Sequence, residues 1–143
     1  MNPFRSLAEY ETFIYTLPQR YATIHRSTLV VVRRGDAVAV IHGEIEFPQG
    51  VRLVVREKVS FSRTIGEVEG YGYEVWRNHA LLYWYDPQPH PHIPELRTSH
   101  PHHKHVSPDI KHNRIPAPGL SFTQPNLPFL IEEIEREVLG GGR

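Results

Sequence analysis

Residues 51–62 read VRLVVREKVSFS, and this stretch decides the fold. Apolar side chains recur at every second position at Val51, Leu53 and Val55, and again at Val59 and Phe61. Such alternation is typical of a β-strand with one face buried and the other in solvent. The segment is therefore predicted to be a strand in a sheet that has one apolar face.

Four further strand-like segments surround this stretch, at residues 21–34, 37–47, 67–77 and 80–85. Short turn signals separate most of them: Gly35-Asp36, Pro48-Gln-Gly50 and Asn78-His79. Because no gap is long enough for a crossover helix, an antiparallel meander is favoured over a parallel sheet. We therefore expect consecutive antiparallel strands within residues 21–86.

One amphipathic helix is predicted on each side of the strands. Ser6 and Glu9 have capping-box spacing, which predicts a helix over 7–17 that ends before Pro18. Asn126 is a candidate N-cap for a second helix over 126–139. Its apolar stripe comprises Leu127, Leu130, Ile131, Ile134 and Val138, with Glu132, Glu133 and Glu137 expected in solvent. The sequence thus predicts one α+β domain, 1–143, with an antiparallel five- or six-stranded sheet and an N-terminal and a C-terminal helix packed against it.

Composition excludes several classes of protein. The 143 residues are expected to form one domain. The absence of cysteine excludes disulfides and Cys-ligated zinc and fits a reducing cytoplasm. The sequence has neither a signal peptide nor an apolar run of the ~20 residues that span a bilayer, so a cytoplasmic protein without membrane contact is expected. Phosphate-loop, dinucleotide-binding and Gly-x-Ser-x-Gly motifs are also missing.

Residues 87–125 differ from the rest of the chain. They hold nine prolines, and seven of the ten histidines lie between positions 90 and 112. Four cations (Arg97, Lys104, Lys111 and Arg114) face one anion, Asp109, between positions 97 and 114. We expect a long loop of functional importance that binds an anionic ligand.

The densest part of this loop is His100-Pro-His-His-Lys-His105. Imidazoles titrate near neutrality, bind metals and serve as general acids or bases. Lys104 opposes a bound cation, and no clear carboxylate or thiol completes a ligand set, so the sequence favours a site without metal or cofactor. A metal site remains the alternative.

The aromatic segment Tyr83-Trp-Tyr-Asp86 leads into the loop. Alternation sends Tyr83 and Tyr85 to one face of the sheet and Trp84 to the other. Asp86 is a candidate partner for an imidazole. We expect at least one of His102, His103 and His105 to reach Asp86 or Tyr85, with Lys104 or an arginine in the same pocket.

The order of these parts resembles the TumE family, small bacterial toxins of toxin–antitoxin systems. The matching residues are Tyr71 and Tyr73, Tyr85-Asp86, Pro89-His90 and Pro101-His-His-Lys-His105. The chain departs from the family pattern at Pro87, where members carry Asn, and at His92, where the second histidine is displaced. The resemblance implies a cytoplasmic toxin that pairs with a DNA-binding antitoxin protein.

The hypothesis from the sequence is a toxin that acts on RNA as a metal-independent ribonuclease. His103 and His105 are the expected acid–base pair, with Lys104 or Arg97 on the phosphate. The full set of candidates is His102, His103, Lys104, His105 and Asp86 for catalysis, and Arg97, Tyr85, Tyr83 and His90 for substrate binding. The alternative is a non-catalytic module that binds nucleic acid or metal through the histidine-rich loop. The sequence leaves open whether the chain forms a homo-oligomer.

Overall fold

A computed structural model describes residues 2–63, 65–88 and 101–140, and within them the chain forms one antiparallel sheet of eight strands. The strands are β1 Arg26–Ser27, β2 Val30–Arg33, β3 Val38–Glu46, β4 Val51–Ser60, β5 Glu67–Arg77, β6 Ala80–Asp86, β7 His103–Val106 and β8 Arg114–Pro116. Their order is β1-β3-β4-β5-β6-β7-β8, and β2 also pairs with β3. The predicted α+β class and the antiparallel strands within 21–86 are confirmed, but the predicted number of five or six strands is too low.

Two short strands replace the single strand expected at 21–34. Both run along β3, with Ser27 opposite Ile45 and Val30 opposite His42. The link between β1 and β2 runs close to Gly43 of β3. The φ angle of Gly43 is 137°, and a Cβ added there would lie 2.6 Å from the carbonyl oxygen of Thr28. Only glycine tolerates this conformation and this close approach. The edge of the sheet is therefore interrupted at this point.

The N-terminal helix is observed as α1 Leu7–Tyr15, after a 3₁₀ turn at Pro3–Arg5. The Ser6 hydroxyl accepts a hydrogen bond from the Glu9 amide at 3.1 Å, as the capping-box pattern predicts. Pro18 does not end the helical region. It lies in the first turn of a second short helix, α2 Leu17–Arg20, where a proline without an N–H is tolerated.

The C-terminal helix is α3 Leu127–Glu133, continued by a π-helical segment at Ile134–Leu139. Four of the five predicted apolar positions are fully buried and Val138 is partly buried, so the predicted stripe is largely confirmed. Two details differ. The Asn126 side chain does not cap the helix but bonds to Tyr73 and Ser121, and Glu133 is buried rather than in solvent.

Helices α1 and α3 pack on the same face of the sheet, which we call the inner face. Tyr10 of α1 donates a hydrogen bond to Glu57 of β4, and Tyr85 of β6 donates to Glu133 of α3. The register places Tyr73 beside Tyr85 and Val55 beside Tyr73, so these side chains share one face. The opposite surface, which the helices leave uncovered, is the outer face.

The expectation of an irregular loop over 87–125 is wrong for two segments, because β7 and β8 extend the sheet beyond β6. On β7 the alternating positions are imidazoles on one side and Lys104 and Val106 on the other. No apolar alternation marks such a strand, so periodicity could not reveal it. No helix in the described part of the chain is long and apolar enough to cross a membrane.

Candidate active site

The outer face carries a cluster of two histidines and one aspartate, which we call the Asp-His-His cluster: Asp86, His103 and His105. Asp86, the last residue of β6, lies opposite His103 on β7, and Trp84 lies opposite His105. Directly paired residues of antiparallel strands point to the same face. The pleat therefore brings the three side chains together on the side away from the helices.

The reactive atoms of the cluster converge on one point. His103 Nε2 lies 3.0 Å from Asp86 Oδ1, and His105 Nε2 lies 3.4 Å from Asp86 Oδ2. The two Nε2 atoms are 3.0 Å apart. At least one imidazole was expected to reach Asp86, and two are observed to do so.

Each imidazole is held by its other nitrogen. His103 Nδ1 lies 3.2 Å from the carbonyl oxygen of Pro101, and His105 Nδ1 lies 3.1 Å from the carbonyl oxygens of Ile110 and Lys111. Since a carbonyl oxygen only accepts hydrogen bonds, both Nδ1 atoms carry the proton. A neutral ring therefore presents its Nε2 lone pair to the cluster, whereas a protonated ring can also donate from Nε2 to Asp86.

Packing fixes the ring of His105. It stacks on Trp84 with ring centroids 3.8 Å apart and planes 16° from parallel. The Trp84 indole N–H donates to the same Ile110 carbonyl, at 3.3 Å. Residues 107–113, which connect β7 to β8, thus fold back over the outer face and clamp the ring. Both imidazoles are almost fully buried, with His103 1% and His105 3% exposed.

The surroundings favour a neutral His105 beside an ionised Asp86. Burial lowers the pKa of His105, and the positive charges of His103 and Arg114 lower it further, against the opposing effect of Asp86. For Asp86, burial raises the pKa, but the hydrogen bonds from His103 and the Gln88 amide outweigh it, so the pKa is lowered. The cluster therefore holds one negative charge next to an imidazole lone pair.

Arg114 is the cation nearest the cluster in the register of the sheet. It begins β8 directly opposite His105, on the outer face. Its Nε is buried and has no hydrogen-bond partner in the described part of the protein. A buried guanidinium N–H without a partner is costly unless a ligand completes it. From the sequence, Arg114 was only one of the four cations between positions 97 and 114, because β8 was not predicted.

Lys104, expected in the same pocket, lies on the inner face. Its ammonium group is 3.1 Å from Glu133 Oε2 and 4.0 Å from the centre of the Tyr83 ring. The strand pleat is the reason, because neighbouring residues of β7 point to opposite faces. The predicted phosphate-binding role of Lys104 is therefore not supported by its position.

Tyr83 and Tyr85, predicted to bind substrate, also belong to the inner face. They are 8% and 2% exposed, and the Tyr85 hydroxyl donates to both carboxylate oxygens of Glu133 at 2.8 and 2.9 Å. Their rings are part of the hydrophobic core. Trp84, which alternation places on the outer face, is the aromatic residue of this segment that reaches the cluster.

His102 stands apart from the Asp-His-His cluster. Its Nδ1 lies 2.6 Å from the Tyr71 hydroxyl, and its ring packs against Tyr71 and Phe122, with centroid distances of 5.7 and 4.5 Å. These contacts anchor the start of β7. The remaining candidates for substrate binding, Arg97 and His90, lie outside the described residues.

The spacing of His103 and His105 does not suit the expected division into base and acid. In-line displacement at phosphorus places the attacking and leaving oxygens on opposite sides. Two imidazoles that each reach one of these oxygens by a hydrogen bond must be at least about 5 Å apart, with the phosphate between them. The observed Nε2–Nε2 distance is 3.0 Å, so the two rings cannot lie on opposite sides of a phosphate in these positions.

Comparison with known proteins identifies one family. A family model described as "Toxin TumE" matches residues 14–138, which include every strand, the Asp-His-His cluster and most of the final helix. No curated protein and no solved structure matches the chain.

Proposed function

The chain belongs to the TumE family of toxins, and we propose that it acts by cleaving RNA at the Asp-His-His cluster. One observation carries this proposal: two buried imidazoles and a carboxylate converge beside Arg114, whose buried Nε has no partner among the described residues. Buried, convergent ionisable groups of this kind are typical of reactive centres. The neighbouring cation suits an anionic substrate such as a phosphodiester.

The proposed reaction needs two contributions from the protein. The 2′-hydroxyl of the substrate must lose its proton to attack the adjacent phosphorus, and the negative charge that develops on the phosphoryl oxygens must be offset. The Asp-His-His cluster activates the hydroxyl from one side, and the guanidinium of Arg114 offsets the charge. The P–O5′ bond then breaks, and the leaving 5′-oxygen takes a proton from water, which leaves a 2′,3′-cyclic phosphate and a 5′-hydroxyl. The cluster returns the proton of the 2′-hydroxyl to the solvent.

A second cation on the outer face supports binding of a polyanion. Arg56 of β4 is exposed and lies across Gly72 of β5, so that a Cβ on Gly72 would come within 2.6 Å of the Arg56 Nη2. Because glycine leaves this space open, the guanidinium can lie flat against the sheet. We propose that Arg56 binds the phosphate backbone away from the cleavage point.

Membership of a toxin family indicates an antitoxin partner. We propose that the toxin meets both its antitoxin and its RNA in the cytoplasm. The alternative is a non-catalytic module that binds nucleic acid or metal through the histidine-rich loop. A module that binds only nucleic acid makes the same use of Arg56 and Arg114 but has no use for the convergent cluster.

The test is an RNA cleavage assay with the purified chain. We expect RNA but not DNA of the same sequence to be cut, with cyclic-phosphate ends on the products. Asp86→Asn and His105→Ala should each lower the cleavage rate at least about 100-fold, the usual effect of removing a group that transfers or positions a proton. His112→Ala is the matched control. His112 lies in the connection between β7 and β8, its side chain is 65% exposed, and its ion pair in the described part of the chain is with Asp109 and not with the cluster.

Toxicity in growing cells should follow the cleavage rates of these variants. Binding of RNA without turnover, equal in the wild type and in Asp86→Asn, would instead support the non-catalytic module.

A further inference from the structure

We propose that Asp86, His103 and His105 bind a divalent transition-metal ion, with Zn²⁺ as the best fit. The site consists of two imidazole Nε2 atoms and one carboxylate, which leaves at least one coordination position open for water or a phosphoryl oxygen. The binding of the ion rests on the geometry of the three side chains alone. Its part in RNA cleavage rests on the proposed function.

The distances within the cluster are those of a metal's ligands. For metal–nitrogen bonds of about 2.0–2.1 Å, two ligand atoms lie about 2.9 Å apart at a right angle and about 3.3 Å apart at a tetrahedral angle. The two Nε2 atoms are 3.0 Å apart. His103 Nε2 lies 3.0 Å from Asp86 Oδ1, and His105 Nε2 lies 3.4 Å from Asp86 Oδ2, the other oxygen of the same carboxylate. One ion can therefore contact all three groups without rearrangement of the strands.

Hydrogen bonds orient both imidazoles for this role. The Nδ1–H of His103 points to the Pro101 carbonyl, and that of His105 points to the carbonyls of Ile110 and Lys111. Metal-ligating histidines almost always donate their second ring proton in this way, which fixes the tautomer. When both rings are neutral, three atoms bearing lone pairs face one another at the distance of a hydrogen bond, and they repel unless a proton or a metal ion lies between them.

The sequence-based objection to a metal does not hold in the folded protein. Lys104 was expected to place a positive charge among the ligands, but its ammonium group lies on the inner face against Glu133. The missing carboxylate is Asp86, which lies 17 positions before His103 in the chain and reaches it through the pairing of β6 with β7.

Rigid elements hold the three ligands in place. His103 and His105 lie on one short strand, Asp86 ends the neighbouring strand, and Trp84 stacks against His105. Two imidazoles favour zinc, cobalt, nickel or iron over magnesium and calcium, which prefer oxygen ligands. With one carboxylate the bound ion keeps a positive charge, so ion and Arg114 together would hold an anionic phosphoryl group.

The test measures metal binding directly, on the full chain freed of metal by a chelator. Calorimetry should give one tight site for Zn²⁺, and Co²⁺ should produce the visible absorption bands of a low-symmetry nitrogen and oxygen site. Mg²⁺ at the same concentration should bind at least about 100-fold more weakly, because imidazole is a poor ligand for it. The other histidines of the chain make controls essential.

Asp86→Asn, His103→Ala and His105→Ala should each weaken Zn²⁺ binding at least about 100-fold, since each removes a direct ligand. His112→Ala should change the affinity less than about threefold, because its ring lies outside the cluster. Circular dichroism of each variant checks the fold, and Asp86→Asn keeps the shape of the side chain if an alanine variant unfolds. Absence of a tight site in the wild type, or equal binding in a folded Asp86→Asn, overturns the proposal.

The two proposals fail separately. Tight, cluster-dependent Zn²⁺ binding in a protein that cuts no RNA supports the metal site and rejects the proposed function. RNA cleavage that depends on His105 but persists in chelator, with no Zn²⁺ bound, supports the proposed function and rejects the metal site.

Discussion

Lys104 and His105 are neighbours in the chain, yet the pleat of β7 gives them unrelated tasks. His105 points to the outer face and joins the cluster, whereas Lys104 points to the inner face and pairs with Glu133. The motif His-His-Lys-His is thus divided between the Asp-His-His cluster and the structural core. The division explains why the ammonium group of Lys104 does not oppose the metal ion that we propose at the cluster.

Lys104→Met tests this division. The change leaves the buried Glu133 carboxylate without its cation, although the Tyr85 hydroxyl still donates to it. We expect the free energy of unfolding to fall by roughly 2–4 kcal/mol. This is slightly less than the cost of breaking a fully buried ion pair, because the Lys104 side chain is 14% exposed. Urea denaturation measures the loss, and Lys111→Met, which changes an exposed lysine in the connection between β7 and β8, is the control.

RNA cleavage by folded Lys104→Met protein should stay within about threefold of the wild type, which is less than the effect of removing a catalytic group. A normal stability combined with a large loss of cleavage would place Lys104 in the active site after all.

At the scale of elements, strands with apolar alternation and clear turns could be predicted, and strands without them could not. β4, β5 and β6 follow the alternation of their sequences; the Pro48-Gln-Gly50 turn precedes β4, and the Asn78-His79 turn separates β5 from β6. β7 and β8 consist mainly of histidine, lysine, arginine and proline. They are stabilised by pairing with each other and with β6, and not by a local apolar pattern. Trp84 and the Ile110 carbonyl hold β7 from its outer side.

The same reason limits the prediction of the site. Asp86, His103 and His105 could be named as candidates, because their residue types are those of reactive centres. That they meet through one carboxylate, and that Arg114 rather than Lys104 lies beside them, depends on the register of β6, β7 and β8. No local pattern encodes that register.

The final helix gives a test at this scale. Ile134 is fully buried at the point where α3 passes into the π-helical segment. Ile134→Ala should lower the free energy of unfolding by roughly 2–5 kcal/mol, because it removes buried methyl groups and leaves a cavity. Glu132→Ala, an exposed change in the preceding turn, is the control for helix propensity. A loss below about 0.5 kcal/mol for Ile134→Ala would show that this helix is not part of the core.

At the scale of the whole molecule, one buried carboxylate ties the two ends of the chain to the sheet. Glu57 of β4 is 1% exposed and accepts hydrogen bonds from Tyr10 of α1, at 2.6 Å, and from Tyr73 of β5. The Tyr73 hydroxyl in turn accepts a hydrogen bond from Asn126, which precedes α3. Both helices therefore depend on a single polar network in the middle of the inner face.

This network makes the stability of the whole protein depend on pH. Burial raises the pKa of Glu57 above its ordinary value of 4.5, although the hydrogen bonds from Tyr10 and Tyr73 act in the opposite direction. A carboxyl whose pKa is higher in the folded state binds more protons folded than unfolded, so its contribution to the free energy of unfolding decreases as pH rises from 4.5 through the folded-state pKa. Ionised Glu57 is thus the less stable form of the network.

Glu57→Gln removes this titration but keeps a side chain of the same shape that can bond to both tyrosines. We therefore expect the variant to gain stability relative to the wild type as pH rises above 4.5, because the wild-type carboxyl then ionises at a cost in the folded protein. Urea denaturation in chelator measures the difference between the two proteins at each pH, so that titration of other groups cancels. Glu132→Gln, an exposed glutamate, should show a difference that does not change with pH. A pH-independent difference for Glu57→Gln as well, or one that moves in the wild type's favour, would mean that folding does not raise the pKa of Glu57. The network would then hold an ionised carboxylate at no cost to the fold.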